Sequence, residues 1–305
     1  MLRFIVRRLG WLLLTLWIVF TVSWCLMRAV PGGPLDRERV LDPDIEANMR
    51  ARFHLDDPLY EQYLRELGFV LRGDLGYPYG LKDFTVNEVI AQGFPISAAM
   101  GTLALSFAVA LGVPAGILAA MRRQTIVDNL LMGTAAVGIA LPNFVIASVA
   151  IIVFVFLVPL FPAAGWGTAR HLMLPALCLG APYAAYIARL TRTGMLDVLG
   201  QDYIRTAYAK GLATRTVILR HAIKGAMLPV VSYLGPAIAG VLTGSLVIEQ
   251  IFAIPGLGTH FVQAALQRDY TLAMGLVLLY TLLLCTMNFL VDVAYTFLDP
   301  RVKLE

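Results

Sequence analysis

Six times along its 305 residues this chain passes through an almost uncharged apolar run of about 20 residues or more, the helix length needed to cross a hydrocarbon core of about 30 Å at about 1.5 Å per residue. The runs are residues 9–30, 97–121, 130–160, 172–192, 229–251 and 271–297. The third has room for extra interfacial turns, and Pro175, Gly180 and Pro182 interrupt the fourth. Composition agrees: 59% of residues are hydrophobic and 14% are charged, where a soluble domain carries about a quarter charged. A disordered chain, a secreted disulfide module and nearly every ordinary soluble enzyme are excluded. The expected fold class is an all-α polytopic membrane protein with six transmembrane helices.

Arg3, Arg7 and Arg8 ahead of the first run imitate the charged front of a signal peptide. The run is too long for a signal core, however, and no A-x-A site follows it. Trp24 is too bulky for lipoprotein-type cleavage at Cys25. Residues 1–30 therefore read as a cytoplasmic N-terminus and an uncleaved first helix. With that end inside, fourteen lysines and arginines fall on the cytoplasmic side and ten outside. Most of the outside charges lie in segment 31–96, beside twelve acids, and long loops translocate largely regardless of charge. Both termini are expected in the cytoplasm. The mild net charge of +4 gives no argument for nucleic acid. Cys25, Cys178 and Cys285 lie far apart without a CxxC pair and read as small packing hydrophobes.

Segment 31–96 is the expected extracytoplasmic part, ahead of a five-helix transmembrane core over 97–305. Within it, Asp57-Pro58 looks like a helix start, with Asp57 as cap and Pro58 in the first helical position. Leu59, Tyr63, Leu67 and Val70 or Leu71 then recur at helical spacing, with Glu61, Arg65, Glu66 and Arg72 between them. Such an amphipathic helix serves either as a cap packed on the bundle or as a docking platform. Pattern alone favours the cap.

The stretch 193–228 is the most informative. A short helix ahead of Gly211 and another from Thr214 are expected, with Gly211 as a left-handed helix end and Thr214 as the next N-cap. Arg205, Lys210, Arg215, Arg220 and Lys224 make the surface basic. Positive-inside topogenesis explains that charge but not the helix–glycine–helix form. Thr206, Ala207, Ala209, Gly211 and Ala213 are small enough for a partner to approach the backbone.

Arg205-Thr-Ala-Tyr-Ala-Lys-Gly211, with Arg220-His221-Ala222 and Leu228-Pro229 after it, resembles the EAA loop of ABC-importer permease subunits. The peptide and nickel uptake subgroup is most similar, in particular its oligopeptide B-type permeases. Glu249 through Gly258, Arg268-Asp269-Tyr270, Asn288 to Asp292 and Asp299-Pro300-Arg301 agree, as do Phe4 to Arg8 and Pro31-Gly32-Gly33-Pro34. Arg205 and Thr206 replace the Glu and first Ala of the general pattern, and the stretch from Gly211 to Pro229 is longer than usual. The peptide subgroup shares both departures.

The resemblance implies a type I ABC-importer permease in the bacterial inner membrane. It implies that Tyr203, Arg205, Thr206, Ala207, Lys210, Gly211, Leu212, Arg215 and Arg220 couple the chain to an ATPase. Implied partners are a second, related permease, two cytoplasmic ATPase subunits that bind ATP and Mg, a periplasmic peptide-binding protein, and the peptide substrate. No cofactor is expected in this chain. None of its four lysines follows a glycine, so a P-loop is missing, as are HExxH, GxSxG and GxGxxG patterns. No catalytic site is expected.

Prolines 114, 142, 175, 182, 229 and 236 bend the spans, as static kinks or to let a path open. Gly112-x-x-x-Gly116 and Gly240-x-x-x-Gly244 read as close helix crossings. Ser232, Tyr233, Thr243 and Ser245 in the fifth span, and Asn143 in the third, suit either a wet path or interhelical hydrogen bonds. Glu249 with Pro255, Gly256 and Gly258 is a candidate outer gate, resting mainly on the resemblance. Asp292 reads as a structural ion pair with basic loop residues, against a proton relay in a secondary transporter. A proton-coupled transporter would bring paired repeats and several intramembrane ionisable groups, which one deep acid does not match. Dipeptides and nickel remain family alternatives, though no ligand cluster for nickel is legible.

Overall fold

The computed structural model describes residues 2–30, 43–80, 83–242 and 244–298. The motifs at Pro31–Pro34 and Asp299–Arg301 lie outside them, as does Thr243. All regular structure among the described residues is helical. The long spans are α1 (Leu2–Ala29), α4 (Val86–Met121), α7 (Ala169–Leu199), α11 (Leu228–Leu242) continuing past a break into α12 (Leu246–Ile251), and α14 (Tyr270–Leu298). Between α1 and α4 lie α2 (Pro43–Phe53) and α3 (Leu59–Leu71). The third span divides into α5 (Ile126–Ala140) and α6 (Asn143–Ile151), the latter widening into π-type turns to Leu157. Helices α8 (Asp202–Ala209), α9 (Thr214–Thr216) and α10 (Ile223–Ala226) join α7 to α11, and α13 (Leu257–Leu266) precedes α14.

The apolar run 130–160 does not form one helix. Its two halves meet at 107°. Pro142 forces this, because the residue before a proline is pushed out of helical geometry. Leu141 is extended at φ −78°, ψ 130°, and Pro142 then caps α6. The second span starts eleven residues ahead of its apolar run, at a capping box. The Thr85 N–H donates to Glu88 Oε2 at 2.7 Å, and the Glu88 N–H donates to Thr85 Oγ1 at 3.2 Å. The fourth span stays continuous through Pro175 and Pro182.

Helices α4 and α7 form the tightest pair in the bundle. Gly112 and Gly116 lie against Ala184, Ile187, Ala188 and Thr191 of α7, and Gly180 lies against the Ala104 carbonyl. A side chain at any of these glycines would meet backbone, so the first Gly-x-x-x-Gly pair is a close crossing, as read. The second pair is not. Gly244 sits at φ +87° in the break between α11 and α12, which no helix crossing contains.

Helix α3 is a packed cap. Tyr63, Leu67 and Val70 lie on Phe20, Trp24, Met274 and Leu278, Tyr63 Oη stands 2.8 Å from Thr21 Oγ1, and Arg28 pairs with Glu66 at 2.7 Å. Leu59 and Leu71 fall off this stripe, 60% and 78% exposed. The cap assignment also moves: Pro58 is the N-cap, without a side-chain bond, and the Asp57 carboxylate is engaged by Arg65 instead. Asp269 ties the same end together, accepting the Leu272 N–H at 3.1 Å and the Gly80 N–H at 2.8 Å.

At the opposite end, Asp292 pairs with Arg8 of α1, so the expected ion pair exists but its partner is not a loop residue. Asp128 of α5 and Arg192 of α7 form a two-pronged bridge, both bonds 2.7 Å, and Asp128 also accepts the Gln124 N–H. Asp128→Asn lowers the thermal midpoint of the detergent-solubilised protein. Adding Arg192→Gln then lowers it little further, since removing one partner already leaves the other uncompensated. Independent, additive losses contradict this.

Candidate functional site

The loop between α7 and α11 folds into a helical hairpin with one buried and one exposed face. Asp202 in the first turn of α8 favours helix initiation there. Ile204 and Ala207 point inward, packing with Met195, Val217, Ile218, Ala222, Ala226 and Ala120. Gly194 of α7 lies against the Ala226 carbonyl, too close for any side chain, which binds the hairpin base to the span. Gly211 ends α8 at φ +75°, as its position in the sequence implies. Thr214 is not the next cap: Ala213, at φ −61°, ψ 142°, takes that place, and Thr214 is the first helical residue.

The nine coupling candidates thus separate. Tyr203, Arg205, Thr206, Lys210, Gly211, Leu212, Arg215 and Arg220 are exposed on one end of the molecule. Ala207 is buried and belongs to the hairpin's own core. Arg205 stands 3.5 Å from Asp202 in a solvent-exposed pair, too screened to contribute much stability. The outward surface is basic, with small positions at Thr206, Ala209, Gly211 and Ala213 between the charges.

The gate candidates gather at the other end of the bundle. Glu249 of α12 is fully buried. Its Oε1 accepts Ser97 Oγ–H at 2.8 Å, its Oε2 accepts the Thr259 N–H at 3.2 Å, and the Gly258 N–H donates to it as well. Ser97 Oγ in turn accepts the Leu257 N–H at 2.8 Å. Gly256 and Gly258 let the chain close round the carboxylate, since a Cβ at either would meet its oxygens. Serine and carboxylate together fasten the α12–α13 hairpin to α4. Pro255 projects outward from the same loop. Ser245 caps α12 without a side-chain bond.

The remaining path candidates are scattered. Ser232 is exposed on α11 and bonds back to the Leu228 carbonyl at 3.0 Å. Tyr233 stacks 4.6 Å from Tyr186 of α7, with Tyr183 at 6.4 Å. Asn143 stands apart, at the start of α6. Sequence reasoning missed Ser97, Tyr183, Tyr186 and the Asp128–Arg192 bridge. Only Tyr186 carried a local signal, three residues ahead of Arg189 on one helix face. Among the described residues no group of three His, Cys, Asp or Glu side chains is placed to hold a metal ion.

Two family descriptions match the chain. Residues 112–304 match the binding-protein-dependent transport system inner membrane component, and residues 1–100 match the N-terminal region of such membrane components. Over 305 residues the chain is 44% identical to the oligopeptide transport system permease protein OppB of Escherichia coli strain K12, covering 99% of this chain and 100% of that one. It is 42% identical over 305 residues to the dipeptide transport system permease protein DppB of Bacillus subtilis strain 168, covering 100% and 99%. Its fold matches a chain in the inward-facing structure of the MetNI methionine ABC transporter, native crystal form, with a TM-score of 0.54. That match has 18% identity and covers 69% of this chain and 96% of that one.

Proposed function

The chain belongs to the inner membrane components of binding-protein-dependent transport systems, and we propose that it forms half of an ATP-driven translocation path for oligopeptides. The observation carrying the peptide assignment is the 44% identity to an oligopeptide permease over 305 residues, 99% of this chain and 100% of that one. A second, related permease supplies the other half of the path. Two cytoplasmic ATPases bind ATP and Mg, and a periplasmic binding protein delivers the peptide.

In this reading α8 is the lever. Its inward face is locked to α7 and α10 through Ile204, Ala207 and Gly194, so displacement of the outer face is passed to the spans as a rigid motion. Tyr203, Arg205, Thr206, Lys210, Gly211, Leu212, Arg215 and Arg220 form the docking surface, whose charges set register on the ATPase. The α12–α13 hairpin, held by Glu249 and Ser97, is the outer gate element. Ser232, Tyr233 and Ser245 contribute to the path.

The dipeptide relative at 42% identity supports a second reading, with dipeptides as cargo. Proteoliposomes containing the full complex distinguish the two. Uptake of labelled tripeptides and longer peptides, exceeding that of dipeptides when each is supplied on saturated binding protein, is the expected result. Uptake confined to dipeptides overturns the oligopeptide assignment.

A further inference from the structure

Helix α7 exposes Tyr186, Arg189 and Thr193 at successive spacings of three and four residues, and so along one face. Beside it, α11 exposes Pro229, Ser232 and Pro236 at the same spacings. The two faces meet at the tyrosines. The Tyr186 and Tyr233 rings are 4.6 Å apart at 30°, Tyr183 stands 6.4 Å from Tyr233, and the Tyr183 hydroxyl lies over Gly240. Tyr186 is 42% exposed.

This face differs in kind from one that meets lipid. Helix α1 turns Leu9, Leu13, Trp17, Val22 and Leu26 outward, an apolar set suited to acyl chains. The α7–α11 face presents phenol hydroxyls, a serine and a guanidinium. Arg189 has no carboxylate partner among the described residues. It lies ten residues before the end of α7, about 15 Å along the axis. That end of α7 runs beyond the apolar stretch 172–192, so Arg189 stands within a turn of the span's edge, where a guanidinium without a carboxylate partner suits an anionic ligand.

We propose that Tyr183, Tyr186 and Tyr233 together with Arg189 form a peptide-contacting station, a proposal that rests on the oligopeptide reading above. The chemistry of an extended peptide matches it part by part. Phenol hydroxyls donate to and accept from amide groups whatever the peptide's side chains. Ring faces attract an α-ammonium group. The Arg189 guanidinium, one helical turn further toward α8, forks onto the terminal carboxylate. Selection by backbone and terminus rather than by side chain is what a carrier of varied peptides requires.

The test uses proteoliposomes of the complete complex, each peptide supplied on saturated binding protein. A benzophenone-bearing phenylalanine in place of Tyr186 is expected to form a covalent adduct with a labelled tripeptide during ATP-driven turnover. In parallel, Arg189→Gln lowers the uptake ratio of a tripeptide over its C-terminal amide by about tenfold, the worth of one charge-assisted hydrogen bond. Arg189→Lys keeps part of that ratio. Adducts formed only with the second permease or with lipid, while uptake continues, overturn the proposal by making this face an interface or a lipid contact. A wild-type ratio in Arg189→Gln also overturns it. Wild-type complexes that take up no peptide at all strike instead at the oligopeptide reading.

Discussion

Replacing Gly211 with valine abolishes most peptide uptake while the complex still assembles and the binding protein still holds its peptide. Gly211 adopts φ +75°, with nothing within 4 Å of where a Cβ would stand. A side chain there meets open space, so its cost is one of backbone conformation rather than collision. For an L-residue, and most of all a β-branched one, that conformation costs about 1–2 kcal/mol. The turn relieves the cost by leaving the left-handed region, which swings α8 away from the Thr214 start of the next helix. The outer face of α8 then no longer matches a cleft fitted to it, while the core built on Ile204 and Ala207 holds the rest of the hairpin. Uptake is expected to fall roughly tenfold or more, as loss of about 1.4 kcal/mol in docking implies. Gly211→Asn is expected to be much milder, because asparagine tolerates this region. Uptake by the valine variant at wild-type rates contradicts the role of the turn.

The second large effect is on the hairpin at the other end. Glu249→Ala removes the acceptor for Ser97 Oγ–H and for the Thr259 and Gly258 N–H groups in a fully buried site. Each buried donor left without a partner costs about 1–3 kcal/mol, offset in part because the carboxylate no longer has to be buried, so the net loss is about 1–3 kcal/mol. The thermal midpoint of the detergent-solubilised protein falls accordingly. Ser97→Ala also leaves the Leu257 N–H unpaired but retains the two backbone bonds to the carboxylate, and is expected to cost less. Because the two residues form one network, the double variant loses less than the sum of the singles. Alanine at both positions with no change in midpoint contradicts the clasp.

The spans were legible because a bilayer imposes a length and a polarity that the sequence must display. Their ends were less so. The start of α4 is set by Thr85 and Glu88, which lie in polar sequence ahead of the apolar run. Residues 130–160 satisfied every compositional demand of one span, and only the geometry at Leu141–Pro142 divided them. Gly211 was readable because a left-handed helix end asks for a single residue type. The Ser97–Glu249 and Asp128–Arg192 contacts were not, since their members lie 152 and 64 residues apart and neither serine nor an isolated acid announces its partner. That Ala207 faces the hairpin core was hidden in the sequence for a related reason. A small residue on a short amphipathic helix serves close packing on either side, and only the neighbouring Val217 and Ile218 decide which.

The central claim is that this chain is driven by separate ATPases through the α8 surface. The most direct measurement is affinity purification of the chain in mild detergent from cells co-expressing the partner subunits, followed by ATPase assay with and without peptide-loaded binding protein. The account predicts that ATPase subunits co-purify and that their turnover rises with the loaded binding protein, a rise the Gly211→Val chain loses. A chain that emerges with no nucleotide-hydrolysing partner, or with one indifferent to the loaded binding protein, contradicts it.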